Sequence, residues 1–330
     1  TGLVGKRIVE MLTVHVSTAE VYIGSRKARP NDKRFLKIDV SEPESLACIA
    51  SHGITLVVLC APDPDNHVIQ YCIRHTIGYI DITKPTPELT AAHQLAISQS
   101  VNSPIVFSSG WMGGIVGSMA SYLEEKFDSV RLSIYYSLND LAGESTTHFI
   151  AENVTKPFDK YRHGKTVATK HFLQPEQHVF DFGVGQKTTY DFDIPELFIF
   201  HRMGGIPTVA VKMTYDSDVV SRLLYWLQKI RFFNVVPYSV KRKLFSASGK
   251  GDRIVFEVVV NNGSAESKIS LEDTEGQSHL TAFLTVMHIR KLIQVPKKGV
   301  FFSHQLHQPE DVIAELSAQP QIEIKVADYA

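Results

Sequence analysis

Cysteine is scarce in this sequence: there are three, Cys48, Cys60 and Cys72, an odd number with no CxxC spacing. That excludes a disulfide scaffold or a paired-cysteine zinc site and suits buried thiols in a reducing cytosol, so a cytoplasmic location is expected. Long apolar runs are missing as well, and a stretch such as Ile54 to Ala61 is far too short to span a bilayer. Neither sign of charge is in excess, with 34 Lys and Arg against 35 Asp and Glu, a net charge of −1. This offers no electrostatic case for nucleic acid or an anionic membrane, and neither is expected as a partner. The GxSxG of a hydrolase and the HExxH of a zinc protease are absent. His304 and His307 are two residues apart, but HQLHQPED reads as a loop entering a helix, so no metal site is expected.

What is present is an ordinary globular composition, 44% hydrophobic and 21% charged, over 330 residues, enough for two domains with ample cores. The first third alternates short apolar runs with amphipathic stretches. Strands are predicted at Glu20 to Gly24, Phe35 to Asp39, Thr55 to Ala61, Gly78 to Ile82 and Ile105 to Ser108. Helices are predicted between them at Glu42 to His52, Asn66 to His75 and Glu88 to Ser100. Strand and helix in turn imply an α/β, Rossmann-type doubly wound parallel sheet, whose ligand crevice lies at the carboxyl ends of its strands. After a helix at Gly117 to Lys126 the pattern changes to half-exposed strands at Val130 to Leu138, Thr208 to Thr214, Arg253 to Val260 and Ser267 to Glu272. Asn261-Asn262-Gly263 marks a hairpin between the last two. Helices are predicted at Ser145 to Asn153, at Asp218 to Ile230, with Val219, Leu223, Leu224 and Leu227 on one apolar face, and at His279 to Ile293. The second region is therefore an α/β (α+β) domain of mixed or antiparallel sheet. The expected boundaries are 1–125, 126–274 and a closing stretch of 275–330.

The opening TGLVGKRIVEML reads as the second half of a glycine turn entering a helix. Gly2 and Gly5 have the spacing of the last two glycines of GxxGxxG, and the N–H groups of Gly2, Leu3, Val4 and Gly5 are placed to hold a pyrophosphate. A hydrophobic strand and one more glycine are expected ahead of Thr1. About twenty residues on, VYIG ends in Ser25 and Arg26, with Lys27 and Arg29 behind. A small hydroxyl beside arginine accommodates the 2′-phosphate of NADP, where NAD would call for an acid; the competing reading is a solvated basic loop. Asp39 and Val40 stand where such folds surround adenine, though Asp39 also suits a turn. Ala61 and Pro62 could pass along the dinucleotide, or serve as turn formers.

Asp81 ends an apolar strand and either points into the crevice, as a candidate catalytic carboxylate, or caps the next element. The turn from Ser108 to Gly114, with Gly110, Trp111, Met112 and Gly113, could border nicotinamide or an anionic substrate, or serve close helix packing. In the second region His148, His201 and Arg202 are candidate donors to a substrate carboxylate, or surface residues.

TGLVGKRIVEML, VYIGSR, YCIRHTIGYIDIT, FSSGWMGGIVGSMASYL, HLTAFLTVMHIRKLI, KKGVFFSHQL and PEDVIAEL, in that order, resemble the saccharopine dehydrogenase-like oxidoreductases. The resemblance spans nearly the whole chain. It implies an NADP-binding Rossmann domain, a second domain carrying the substrate and homodimer surfaces, and a C-terminal helix that returns to the first. It also implies an NADP-dependent oxidoreductase acting on a C=N or C=O bond of a small substrate. Where relatives often have G-F-D-P-G, this chain has Gly110-Trp111-Met112-Gly113-Gly114, without the Asp and the Pro, which puts amino-acid placement in doubt. Two alternatives stay open: an NADP-binding sensor or partner protein without turnover, and an enoyl reductase acting in trans.

Overall fold

Parallel strands buried on both faces must be apolar throughout, and TLVVL, GYI and PIVF meet that requirement. The computed structural model describes residues 2–16, 19–27, 32–108, 111–140, 144–246 and 253–329. They form two units, one of residues 1–114 and 281–306 and the other of residues 115–280 and 307–330.

In the first unit β1 (Ile23–Ser25) pairs in parallel with β2 (Phe35–Lys37). A second parallel sheet joins β3 (Leu56–Leu59), β4 (Gly78–Asp81) and β5 (Pro104–Phe107), and a strand at Gly299–Phe302 extends it beyond β5. Side chains alternate across these strands. Ile80 and Val106 face a core with Ile8 and Leu12 of the helix Leu3–His15 and with Val286 and Ile289 of the helix Gln277–Gln294. The alternate positions turn to the opposite face, where Phe107 lies 5.8 Å from the His93 ring of the helix Thr86–Ile97. Helices thus cover both faces, as a doubly wound sheet requires.

The second unit holds one mixed sheet of nine strands. Its strands are β6 (Ser129–Tyr136), β7 (Phe158–Arg162), β8 (Lys165–Thr169), β9 (Glu176–Phe180), β10 (Gly185–Asp191), β11 (Thr208–Tyr215), β12 (Ile254–Asn261) and β13 (Glu266–Asp273). With the strand of the first unit numbered β14 (Gly299–Phe302), the last is β15 (Ile322–Tyr329). Beta6 and β11 run parallel, while β12 pairs antiparallel with β6 and β13, and β15 closes the edge beside β13. The Asn261-Asn262-Gly263 hairpin is present, with Gly263 at φ 89° and its N–H bonded to the Asn261 side chain.

The unit boundaries differ from 1–125, 126–274 and 275–330. The helix Ile115–Leu123 packs against β12 and β13 and so belongs to the second unit. Residues 281–306 join the first unit, but 307–330 do not: β15 pairs along its whole length with β13, and the helix Pro309–Ser317 packs against the helix Ile115–Leu123.

Two hairpins within residues 158–191 escape the apolar pattern because FDKYR, KTVAT and EQHVF are mostly polar. Their turns carry the missing signal. His163 and Gly164 both have positive φ, 49° and 73°, which is the two-residue turn that matches strand twist. The strands bury charge on one side of the sheet. The Asp191 carboxylate accepts from Lys160 Nζ at 2.6 Å, Thr169 Oγ1 at 2.8 Å and Lys212 Nζ at 3.1 Å, and Glu257 meets His178 at 2.7 Å.

The helix Asp218–Lys229 departs from its expected orientation. Leu224 is buried, but Val219 and Leu223 face solvent, and the other buried positions are Ser221 and Gln228. Hydrogen bonds decide this. The Tyr215 N–H donates to Ser221 Oγ at 2.9 Å, and Gln228 Nε2 donates to the Val154 carbonyl at 2.6 Å.

Candidate active site

The carboxyl ends of the parallel strands are tied together by a continuous series of hydrogen bonds. At the end of β1 the Ser25 carbonyl accepts from the Ile38 N–H at 3.0 Å, and Ser25 Oγ accepts from the Lys27 N–H at 3.3 Å. Arg26 is exposed and lies close enough to Asp39 to act on its carboxylate. Asp39 Oδ1 accepts from the Ser41 hydroxyl at 2.7 Å and the Ser41 N–H at 3.1 Å. These bonds, helped by Arg26, hold its carboxyl below the usual range. The Val40 carbonyl meets His67 Nδ1 at 2.9 Å, at the start of the helix His67–His75.

That helix start is capped by Asp63, whose two carboxylate oxygens accept from the N–H groups of His67 at 3.0 Å and Val68 at 2.9 Å. Asp63 also reaches the next strand end, because its carbonyl accepts from Lys84 Nζ at 2.6 Å. Ala61 and Pro62 are exposed on the same turn, and Thr83 Oγ1 donates to the Ala61 carbonyl at 3.3 Å.

Asp81 gathers these turns. Its Oδ1 accepts from the Thr83 N–H at 2.8 Å, the Thr83 hydroxyl at 3.1 Å and the Lys84 N–H at 3.2 Å. Its Oδ2 accepts from the Tyr79 hydroxyl, two residues earlier and so on the same sheet face, and lies 3.9 Å from Lys84 Nζ. Burial, and then the Asp81 charge, push the Tyr79 hydroxyl well above its ordinary value, so it stays a donor. With Asp81 2% exposed and both oxygens engaged, this carboxylate holds the strand end rather than presenting a base to the crevice. These are the bonds of the capping alternative for Asp81. Tyr79, Asp63 and Lys84, at 0%, 1% and 1% exposure, complete the cluster. The signals for them were an acid in APDPDN ahead of a helix and a lysine three residues after Asp81.

The Asp81 carbonyl accepts from the Ser108 N–H at 3.0 Å and its hydroxyl at 3.1 Å, which fastens the glycine turn to β4. Gly110 lies outside the described residues. Trp111 and Met112 are buried at 6% and 1% exposure, so both pack inward. Gly113 and Gly114 have positive φ, 63° and 75°; a Cβ at Gly114 would sit 2.1 Å from Ser303 Oγ and 2.8 Å from the Ser108 carbonyl. His288 Nε2 donates to the Gly113 carbonyl at 2.9 Å and fixes the turn from the helix Gln277–Gln294.

At the other end of the site, the helix Leu3–His15 begins at Gly2 with no side-chain cap and no acid in its first turn. The leading N–H groups at Leu3, Val4 and Gly5 lack helical acceptors by the geometry of any helix start, and they carry its partial positive charge. A Cβ at Gly2 would meet nothing within 4 Å, so the space beside the turn is open. An uncapped helix start of this kind fits the pyrophosphate of a dinucleotide, and Ser25 and Arg26 stand at a strand end of the same unit.

His148 and Arg202 belong to the second unit. His148 Nδ1 pairs with the Tyr238 hydroxyl and its Nε2 lies 3.3 Å from Glu152. Arg202 is exposed in the last turn of the helix Glu196–Gly204. They stand on separate helices, engaged locally or facing solvent.

Replacing Lys84 by Met strands the Asp63 carbonyl and leaves Asp81 without its cation. A loss of about 3–5 kcal/mol is expected in urea denaturation, partly restored by adding Asp81→Asn. A pH dependence also follows. Burial pushes His288 down to about 4, opposed only weakly by its bond to Gly113, and pushes His171 to about 3 and His304 to about 4, all from 6.5. Because the folded-state values are depressed, the unfolded chain takes up protons first as pH falls. Stability is full above 6.5, begins to be lost below it, and the His288 share is gone once pH passes about 4. Urea midpoints across this range are expected to fall with pH, and His288→Gln, which still donates to Gly113, to flatten the fall.

The fold matches that of apo histidine-tagged saccharopine dehydrogenase (L-Glu forming) from Saccharomyces cerevisiae, with a TM-score of 0.65 at 12% identity over 100% of this chain and 98% of that one. Dipicolinate-bound dihydrodipicolinate reductase from Paenisporosarcina sp. TG-14 aligns with a TM-score of 0.41 at 13% identity, over 91% of this chain and 94% of that one. The C. glutamicum DAP dehydrogenase in complex with DAP aligns at 0.46 and 11%, over 95% and 96%. No protein-family model and no curated protein matches the sequence. What is established is therefore the fold: this chain, over its whole length, is built like a saccharopine dehydrogenase.

Proposed function

We propose that the chain is an NADP-dependent oxidoreductase of the saccharopine dehydrogenase-like type, transferring hydride between nicotinamide and a C=N or C=O bond of a small substrate. The observation that carries this reading is that one unit holds an uncapped helix start, a Ser25-Arg26 strand end and an Asp81-centred set of turns at the end of β4. The whole-chain fold match to a dehydrogenase supports it.

Each residue has a part that its surroundings allow. The N–H groups of Leu3, Val4 and Gly5 would hold the pyrophosphate. Ser25 Oγ already accepts from Lys27, so its proton is available to a 2′-phosphate, and the exposed Arg26 guanidinium adds a charge-assisted donor. Asp39 is held by Ser41, with Arg26 a smaller influence on its carboxylate. Val40, Ala61 and Pro62 supply backbone along the same edge. When bound, nicotinamide supplies or accepts the hydride. Asp81 and Lys84 position the turns that border it, and a group other than the enclosed Asp81 must donate the proton that reduction of C=N or C=O requires.

The engagement of both Asp81 oxygens favours one second reading, an NADP-binding protein without turnover. Two measurements check these assignments. Fluorescence titration of Arg26→Asp with NADPH and NADH is expected to show the preference for NADPH reduced by about tenfold or more, and an unchanged ratio removes the 2′-phosphate role. Steady NADPH oxidation with a panel of imines and ketones is the expected result for the wild-type chain. Tight NADPH binding with no oxidation across the panel selects the sensor reading instead.

A further inference from the structure

We propose that residues 219–246 of the second unit form a docking surface for an anionic lipid bilayer. The starting point is the helix Asp218–Lys229, which turns Ser221 and Gln228 inward and leaves an apolar ridge in solvent. Val219, Leu223, Trp226 and Ile230, spaced by four, three and four residues, lie on one face, with Val219 76% and Trp226 51% exposed. The exposure continues beyond the helix, with Val235 at 80% and Leu244 at 45%. Eight of the seventeen exposed large apolar side chains among the described residues fall between 219 and 244. Single exposed apolar residues are normal on a protein surface, but a concentration of this kind marks a contact surface.

Charge selects the occupant. Between 219 and 246 the sequence has Arg222, Lys229, Arg231, Lys241, Arg242 and Lys243 and no acidic residue, in a chain whose net charge is −1. The acids just before the stretch are engaged, since Asp218 Oδ1 accepts from Lys187 Nζ at 2.9 Å and Asp216 Oδ2 accepts from the Ser137 hydroxyl and the Leu138 N–H, both at 3.2 Å. The Lys229 ammonium sits 4.8 Å from the centre of the Trp226 ring, so cation and aromatic share one patch. A second copy of the same surface would bring six cations against six cations, which disfavours a two-fold dimer through it. Lys and Arg flanking Trp, Leu, Ile and Val are instead the composition of a segment lying in the headgroup boundary of an anionic membrane. No helix among the described residues is long and apolar enough to cross one, so the contact is with the surface. This proposal is independent of the cofactor assignment, since it rests on the second unit alone.

The test is sedimentation of the full chain with vesicles of phosphatidylcholine alone and of phosphatidylcholine with phosphatidylserine. Binding is expected to the anionic vesicles, to be at least about tenfold weaker without phosphatidylserine, and to fall as salt is raised. In a Trp111→Phe background, emission from Trp226 is expected to shift to the blue and to be quenched by brominated lipid. Lys229→Glu with Lys241→Glu and Lys243→Glu, and separately Leu223→Ser with Trp226→Ser, are each expected to reduce binding by about tenfold or more. Sedimentation of the unmodified chain with the two vesicle compositions needs no variant, so misfolding of any variant leaves the proposal exposed to refutation. No enrichment on anionic vesicles, equal binding to both compositions, or unquenched Trp226 overturns it. So does a dimer in light scattering that Trp226→Ser splits without any vesicle binding, which assigns the surface to a second copy. Capture of a soluble acidic protein without vesicle binding overturns it in favour of a protein partner.

Discussion

The first unit depends on how one carboxylate is held where there is almost no water. An unpaired charge at the end of β4 would be too costly to bury, so Asp81 survives there only because donors surround it. Four hydrogen bonds come from Tyr79, Thr83 and the Lys84 backbone, and Lys84 supplies the cation. Thr83 and Lys84 form one turn that also reaches the Ala61 and Asp63 carbonyls, and the Asp81 carbonyl holds Ser108, so bonds at this one strand end link residues 61–63, 83–84 and 108. The low dielectric that makes the arrangement necessary also strengthens each bond in it. The turns at this edge are therefore held in one arrangement by the bonds that satisfy Asp81.

The second unit solves the same problem on a larger scale. One face of its sheet is apolar, with Val130, Leu132 and Ile134 of β6 beside Val209, Val211 and Met213 of β11. The other face carries Glu257, Asp191 and Lys212, all buried, and the hairpins β7–β8 and β9–β10 supply their partners. These hairpins are polar in sequence because their role is to neutralise and hydrogen-bond a charged sheet face, not to extend an apolar core.

That role explains which parts of the molecule could be read in advance. The alternation of TLVVL, GYI and PIVF with amphipathic helices made the doubly wound sheet legible, and Asn-Asn-Gly made the β12–β13 hairpin legible, because each is a local pattern with a local cause. Strands β7 to β10 were not legible from apolar periodicity, since their partners are charges up to 79 residues away, although His163-Gly164 carried a turn signal. The helix Asp218–Lys229 was placed correctly but rotated wrongly. Periodicity reports that a helix has two faces; the bonds of Ser221 and Gln228 decide which one turns inward. Gly2, Gly5, Ser25 and Arg26 are candidates named from position along the fold. Lys84 and Asp63 could not be named in this way, because their meeting across 21 residues is a property of the folded edge.

The two treatments of charge in this protein belong together. Inside the units, opposite charges approach to 2.6–3.1 Å and the folded chain satisfies itself. Between 219 and 246 it does the reverse, collecting six cations with no acidic residue among them around an exposed apolar ridge. Neither choice stabilises the isolated chain, since like charges repel and exposed apolar area forgoes the gain of burial. A net charge of −1 conceals this because it averages the stretch with an otherwise more acidic chain. Cations that a protein could have interspersed with acids but keeps in one stretch, beside apolar surface that it leaves exposed, are what a surface both anionic and apolar would stabilise.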